Sequence, residues 1–223
     1  MAESTTAVGR LVQVVAQLRE HCLWTAALTH ESLVEYLIEE SHELAEVIEA
    51  GPGTAAAELK GELADVLFQV LLHARIQEEA GNFNFEDVAE YLSAKLVRRN
   101  RHVFKPDGSL QESFPESIEE IVASYDAVKQ GERPERDSPF DGIPPTLPAL
   151  SLAAKSIDRA RRAGFPVDQQ PGSPEAGSRP PASETELGDL LLAVVSQASS
   201  AGLDSEQALR GAVRRFQRGV TGA

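Results

Sequence analysis

Apolar residues recur at helical spacing through most of this 223-residue chain. Leu11, Val14, Val15 and Leu18 make one stripe and predict a first helix from about Thr5 to Glu20. A loop with His21, Cys22, Leu23 and Trp24 follows, and Thr29 is placed to cap a long helix through about Ala50, closed by Gly51, Pro52 and Gly53. Thr54 is placed to cap a third helix to about Ala80, stopped by Gly81 and Asn82. Leu59, Leu63, Leu67, Val70 and Leu71 fill one side of it, and Phe68, Leu72 and Ile76 the other. It is therefore expected to be central and buried. Val88, Leu92 and Leu96 mark a fourth helix from about Phe85 to Asn100, completing a four-helix-bundle-like domain over residues 1–104.

Residues 105–146 turn rich in Pro, Gly and charge, and read as a connector with one helix from Pro115 to Gln130. A second helical domain over 147–223 opens with a helix from about Leu147 to Ala163, stopped by Gly164. The stretch from about Asp168 to Ser183 is so rich in Pro, Gly and Ser that disorder is expected. Glu184 to Ala201 and Ser205 to Arg218 again read as helices. These last segments repeat the third and fourth: Glu62-Leu63-Ala64-Asp65-Val66-Leu67 aligns with Glu186-Leu187-Gly188-Asp189-Leu190-Leu191. No helix in the second copy corresponds to the one carrying Glu39 to Glu43, so the repeat is degenerate and partly deleted.

Composition narrows the class. Hydrophobic residues make up 42% of the chain, enough for a core, while the 5% aromatic share with abundant Ala, Leu, Val and Glu favours an all-α protein. A net charge of −14 repels polyanions, which argues against nucleic-acid polymers as partners but permits a small anion bridged by divalent cations. Cys22 is the single cysteine, so no intramolecular disulfide is expected, and with no basic-then-apolar leader at Met1–Arg10 and no membrane-length apolar run, a cytoplasmic, membrane-free protein is expected.

The chemistry concentrates on two helices. At about 100° per residue Glu40 falls within the stripe of Leu33, Leu37, Leu44 and Val47, and Glu43 lies about 60° away at its edge. Glu39 lies further round. Glu62 and Asp65 stand one turn apart on the helix that is apolar on every side. A carboxylate in such surroundings needs a cation or a proton, and four or five oxygen donors converging suit Mg²⁺, with Mn²⁺ as an alternative. Lys95 and Arg99 share a side with Val88 and Leu92, where they either meet carboxylates and phosphates or snorkel outward. Trp24 is either a stacking plane for a base or a core anchor. Gly-rich phosphate loops, dinucleotide turns and paired-Cys zinc spacings are absent from the sequence, so phosphate handling rests on metal.

The run Glu39-Glu40-Ser41-His42-Glu43 followed by Glu62-Leu63-Ala64-Asp65 resembles the Glu-Glu-x-x-Glu and Glu-x-x-Asp signature of the all-α nucleotide pyrophosphohydrolases. Cys22-Leu23-Trp24, Thr29-His30-Glu31-Ser32-Leu33, Gln69-Val70, His73-Ala74-Arg75, Lys95 to Arg99 and His102-Val103-Phe104 are similar to the N-terminal domain of the MazG family. Asp141-Gly142-Ile143-Pro144 and Leu147-Pro148-Ala149-Leu150 look like its interdomain segment. The resemblance implies a dimer that hydrolyses (d)NTPs, including non-canonical or damaged ones, to (d)NMP and pyrophosphate with Mg²⁺. By position it implies Glu40, Glu43, Glu62 and Asp65 as metal ligands, Glu39 as a catalytic carboxylate beside them, and Lys95 and Arg99 as phosphate contacts.

The chain departs from the family pattern at Leu23, Thr25 and Leu28, where the family has Pro, Asp and Gln. Its second half keeps Glu186, Asp189 and Arg215 but has Gly219 where an Arg is usual. The chemistry is therefore expected within residues 1–104. Two other readings stand beside it. A di-iron bundle is suggested by Glu39-x-x-His42 but lacks its second Glu-x-x-His on the third helix. A catalytically silent nucleotide-sensing or protein-interaction module is the reading from outside enzymology.

Overall fold

The computed structural model describes residues 6–51, 55–131, 138–167 and 181–221, and among them every regular element is helical. They fall into two compact units, 1–132 and 133–223. The first holds α1 (Ala7–His21), α2 (Leu23–Ala26), α3 (Leu33–Glu49), α4 (Ala56–Glu79), α5 (Phe85–Arg99) and α6 (Ile118–Gly131). The second holds α7 (Ala149–Arg162), α8 (Glu184–Ser200) and α9 (Ser205–Thr221). None of the described helices is long and apolar enough to cross a membrane.

Helix starts follow local chemistry. The Thr6 hydroxyl accepts from the Gly9 amide at 3.1 Å and opens α1. At α5 the cap is reciprocal: Asn84 accepts from the Asp87 amide while the Asp87 carboxylate accepts from the Asn84 amide. Thr29 sits one turn ahead of α3, exchanging hydrogen bonds with Ser32, and α3 itself begins at Leu33. Thr54, the expected cap of α4, lies outside the described residues, as do residues 168–180 of the stretch expected to be disordered. Gly81, at φ +75°, takes the left-handed conformation that ends α4.

The segment after α1 corrects the expected loop. It folds into the single turn α2, because the buried Thr25 hydroxyl donates to the Leu18 carbonyl at 2.6 Å and is shared with that of Cys22.

Val15 of α1, Leu33 of α3, and Leu71 and Leu72 of α4 form the buried centre of the first unit, with Phe68, Ile76, Tyr36 and Phe85 packed against them. Each such side chain contributes roughly 1.5–3 kcal/mol by leaving water. The expectation of a uniformly buried α4 is corrected here. Gln69, Leu71, Leu72 and Ala74 are buried, whereas Leu59, Leu63, Leu67 and Val70 form an open stripe. α3 covers one side of α4, α1 and α5 touch it more lightly, and the remaining side has no covering helix among the described elements of its unit.

In the second unit Ile157 and Ala160 of α7, Val167 and Val195 of α8 form a separate core. The buried Ser196 hydroxyl is satisfied by the Val167 carbonyl at 3.2 Å.

Candidate metal centre

α3 and α4 pack side by side along their lengths, and that pairing brings the two acidic motifs together. One carboxylate oxygen each from Glu40, Glu62 and Asp65 lies within 4.8 Å of the others. Opposite ligands of an octahedral Mg²⁺ lie about 4.2 Å apart, twice a bond of about 2.1 Å, so small side-chain shifts bring three oxygens onto one ion. Glu40 and Glu62 are half-buried and Asp65 is exposed. Three hard anionic donors, open on one side, fit a hydrated divalent cation better than a closed tetrahedral zinc site.

Electrostatics places Glu40 at the centre. Its carboxyl is pushed above the usual carboxylate range, first by burial and then by the negative charges of Asp65, Glu43, Glu39 and Glu62. Glu39 and Glu43 are therefore close enough to act on Glu40, although both are exposed and neither is in the tight group of three. The order matches the helical wheel: the residue inside the apolar stripe is drawn in, and those at and beyond its edge face water.

The other expected site residues are carried by α5 and α2. Arg99 is half-buried and turns toward α6, with Nη1 3.5 Å from the Tyr125 hydroxyl and its guanidinium 5.9 Å from that ring's centre. Lys95 is half-buried one turn earlier on α5. Trp24 is 67% exposed on α2 and so is not the core anchor that one reading allowed.

Two features escaped the sequence reading. His30 and His73 lie parallel with ring centres 5.0 Å apart, their Nδ1 atoms 2.7 Å from each other. His30 Nε2 is hydrogen-bonded to Gln77, whose carbonyl oxygen accepts from Asn82 at 2.7 Å. Burial, reinforced by His30, holds the His73 imidazole below its usual value. The second is Gln69, 4% exposed, whose Oε1 is enclosed without a hydrogen-bond partner. The spacing Glu62, Asp65, Gln69, His73, Gln77 runs at three and four residues along one face of α4, a polar seam visible in the sequence spacing.

In the second unit, Glu186 aligns with Glu62 but sits in the first turn of α8, where its carboxylate accepts from the Ala182 amide at 2.7 Å and its own amide donates to Ser183 Oγ. The grouping of Glu40, Glu62 and Asp65 is the one set of potential ligands this close among the described residues.

Residues 28–104 match the family model described as MazG nucleotide pyrophosphohydrolase domain. The chain is 35% identical to the nucleoside triphosphate pyrophosphohydrolase/pyrophosphatase MazG of Thermotoga maritima, over 97% of this chain and 85% of that protein. It is 32% identical to the nucleoside triphosphate pyrophosphohydrolase of Escherichia coli K12, over 95% and 84% respectively. A 26.1 kDa protein of Streptomyces cacaoi, described as uncharacterized, is 38% identical over 96% and 81%.

Proposed function

Because the chain belongs to the MazG family of nucleoside triphosphate pyrophosphohydrolases, we propose that Glu40, Glu62 and Asp65, with Glu43 and Glu39 beside them, form its Mg²⁺-dependent catalytic site. The observation that carries this reading is the convergence of three carboxylate oxygens within 4.8 Å around a carboxyl whose ionisation is already disfavoured.

A bound Mg²⁺ or Mn²⁺ supplies neutralisation of the triphosphate charge and a water acidified for attack. Glu40, Glu62 and Asp65 would hold that cation, and Glu43 would join them by a rotamer change on the same face of α3. Glu39 orients the attacking water. The water oxygen would form its bond to the α-phosphorus and release its proton to solvent, the bond from that phosphorus to the α–β bridging oxygen would break, and pyrophosphate would depart, leaving (d)NMP. Lys95 and Arg99 balance charge on the β- and γ-phosphates, Arg99 by turning from Tyr125.

Trp24 offers the base a solvent-facing aromatic plane, which accepts any nucleobase and suits non-canonical or damaged nucleotides as substrates. The open stripe of Leu59, Leu63, Leu67 and Val70 supports a homodimer, since apolar rows of this kind mark association surfaces. With Glu186 engaged at the start of α8, catalysis belongs to the first unit and the second is a degenerate copy. The work is nucleotide-pool cleansing in the cytoplasm.

The test is to mix the purified chain with single NTPs and Mg²⁺ and assay pyrophosphate against orthophosphate. Pyrophosphate release that falls to background in E40Q and D65N, with helical CD retained, is expected. Full activity in either variant overturns the site.

A further inference from the structure

Gln69 is a polar side chain buried as deeply as the apolar core residues of its helix. It stands between the half-buried Phe68 and the buried Leu71 and Leu72, is itself 4% exposed, and has a carboxamide oxygen with no donor against it. Replacing it by Leu would relieve the cost of enclosing an unsatisfied acceptor. A residue that carries such a cost is expected to use the group for something.

Its position on α4 says for what. Asp65 precedes it by four residues and Glu62 by seven, so all three side chains leave the helix within about 40–60° of one another. The carboxylates next to it accept hydrogen bonds when ionised and donate none. The missing partner must therefore be a donor that is itself attracted to a group of carboxylates. Water held by a divalent cation meets both conditions, because such a cation keeps several waters and makes their protons strong donors.

Resting on the reading of Glu40, Glu62 and Asp65 as a cation site, we infer that Gln69 is part of that site, its buried Oε1 accepting a hydrogen bond from water in the cation's shell. A neutral acceptor orients that water without adding a further negative charge beside Glu40. Gln69 is thus a positioning residue for the hydrolytic reaction. Its enclosure on α4 fixes the direction of the acceptor, as an exposed Gln could not.

The experiment is a Mn²⁺ titration of the full chain without nucleotide, by calorimetry, on the parent, Q69L, Q69E and E40Q. Loss of a group that supports metal ligands typically weakens binding 10–100-fold. Q69L is expected to bind Mn²⁺ about tenfold more weakly while its metal-free melting temperature stays level or rises. Q69E keeps an acceptor oxygen and adds a charge that attracts the cation, so it is expected to bind Mn²⁺ at least as tightly as the parent. Should Q69L lose its helical CD, Q69M is read in its place. Parent-like binding by Q69L, or a loss in Q69E as large as in Q69L, overturns the inference. E40Q separates the two readings: if it binds Mn²⁺ as the parent does, the cation site itself is wrong, whereas its loss beside an unaffected Q69L condemns only the role of Gln69.

Discussion

Arg19 of α1 grips Glu79 at the end of α4 through two hydrogen bonds, Nε to Oε1 at 3.1 Å and Nη2 to Oε2 at 2.6 Å. The same guanidinium donates from Nη1 to the carbonyls of Thr25 and Leu28, at 2.6 and 2.9 Å, and its side chain is only 8% exposed. One cation therefore ties α1, the α2 turn and α4 together. Arg19→Met, which keeps the stem and removes the donors, is expected to lower stability by about 2–3 kcal/mol, the scale of hydrogen bonds to charged groups. Urea unfolding of the variant measures it.

Glu79 also sets an acid limb. Arg19, and after it Arg75, hold its carboxyl below the usual carboxylate range. A folded-state value below the unfolded one gives stability that is full above the unfolded value and is lost as pH falls through the depressed one. Melting temperature is expected to drop below the ordinary Glu value of 4.5, and the drop to be shallower in E79Q. Equal slopes in parent and variant would remove Glu79 from the account.

Glu40 acts with the opposite sign. Its carboxyl is raised, so without metal its ionisation opposes folding above that raised value and the opposition is relieved as pH falls through it. Metal-free E40Q is therefore expected to melt higher than the metal-free parent at pH 7 while losing pyrophosphate release. Addition of Mg²⁺ is expected to raise the melting temperature of the parent but not of E40Q. Thermal scans with and without EDTA decide both.

The His30–His73 contact needs one protonated and one bare Nδ1, and the two rings cannot both be charged while it lasts. Since the His73 value is lowered by burial, the folded chain binds this proton more weakly than the unfolded chain does. Stability is expected to fall as pH drops through the ordinary imidazole value of 6.5, ahead of the Glu79 limb. In H73Q that first decline is expected to vanish, which melting curves between pH 7.5 and 5 would reveal.

The open row on α4 offers a test of assembly. Leu63 is 52% exposed and Leu67 37%, so L63K/L67K leaves the described core intact. The parent is expected to elute as a dimer and the double variant as a monomer of similar helicity in light-scattering chromatography. An unchanged mass would place the dimer contact elsewhere.

Much of this was legible from spacing. Glu40 is drawn in and Glu43 left in water because one lies within the stripe of Leu33, Leu37, Leu44 and Val47 and the other at its edge. What the pattern could not supply depends on neighbours distant in sequence. Periodicity puts apolar residues on several sides of α4 beside its polar seam, but which side receives a partner helix is decided by packing. Arg99 is held by Tyr125 because α6 returns beside α5, and nothing local to either residue predicts it. His30 and His73 are 43 residues apart and meet only once α3 lies on α4. The α2 turn forms because of Thr25's hydroxyl, against a local sequence with no strong helix-start signal.

Glu186 shows what register does to an identical chemical group. Glu62 is the seventh residue of α4, whereas Glu186 is the third of α8, and its carboxylate is committed to a backbone amide. An acid at the mouth of a helix answers to the backbone; one that lies two turns in is free to answer to a ligand. Giving the second unit a ligating carboxylate would therefore take a longer helix before it would take another acidic residue. About four residues added ahead of Ser183, one turn, would place Glu186 at the depth Glu62 occupies.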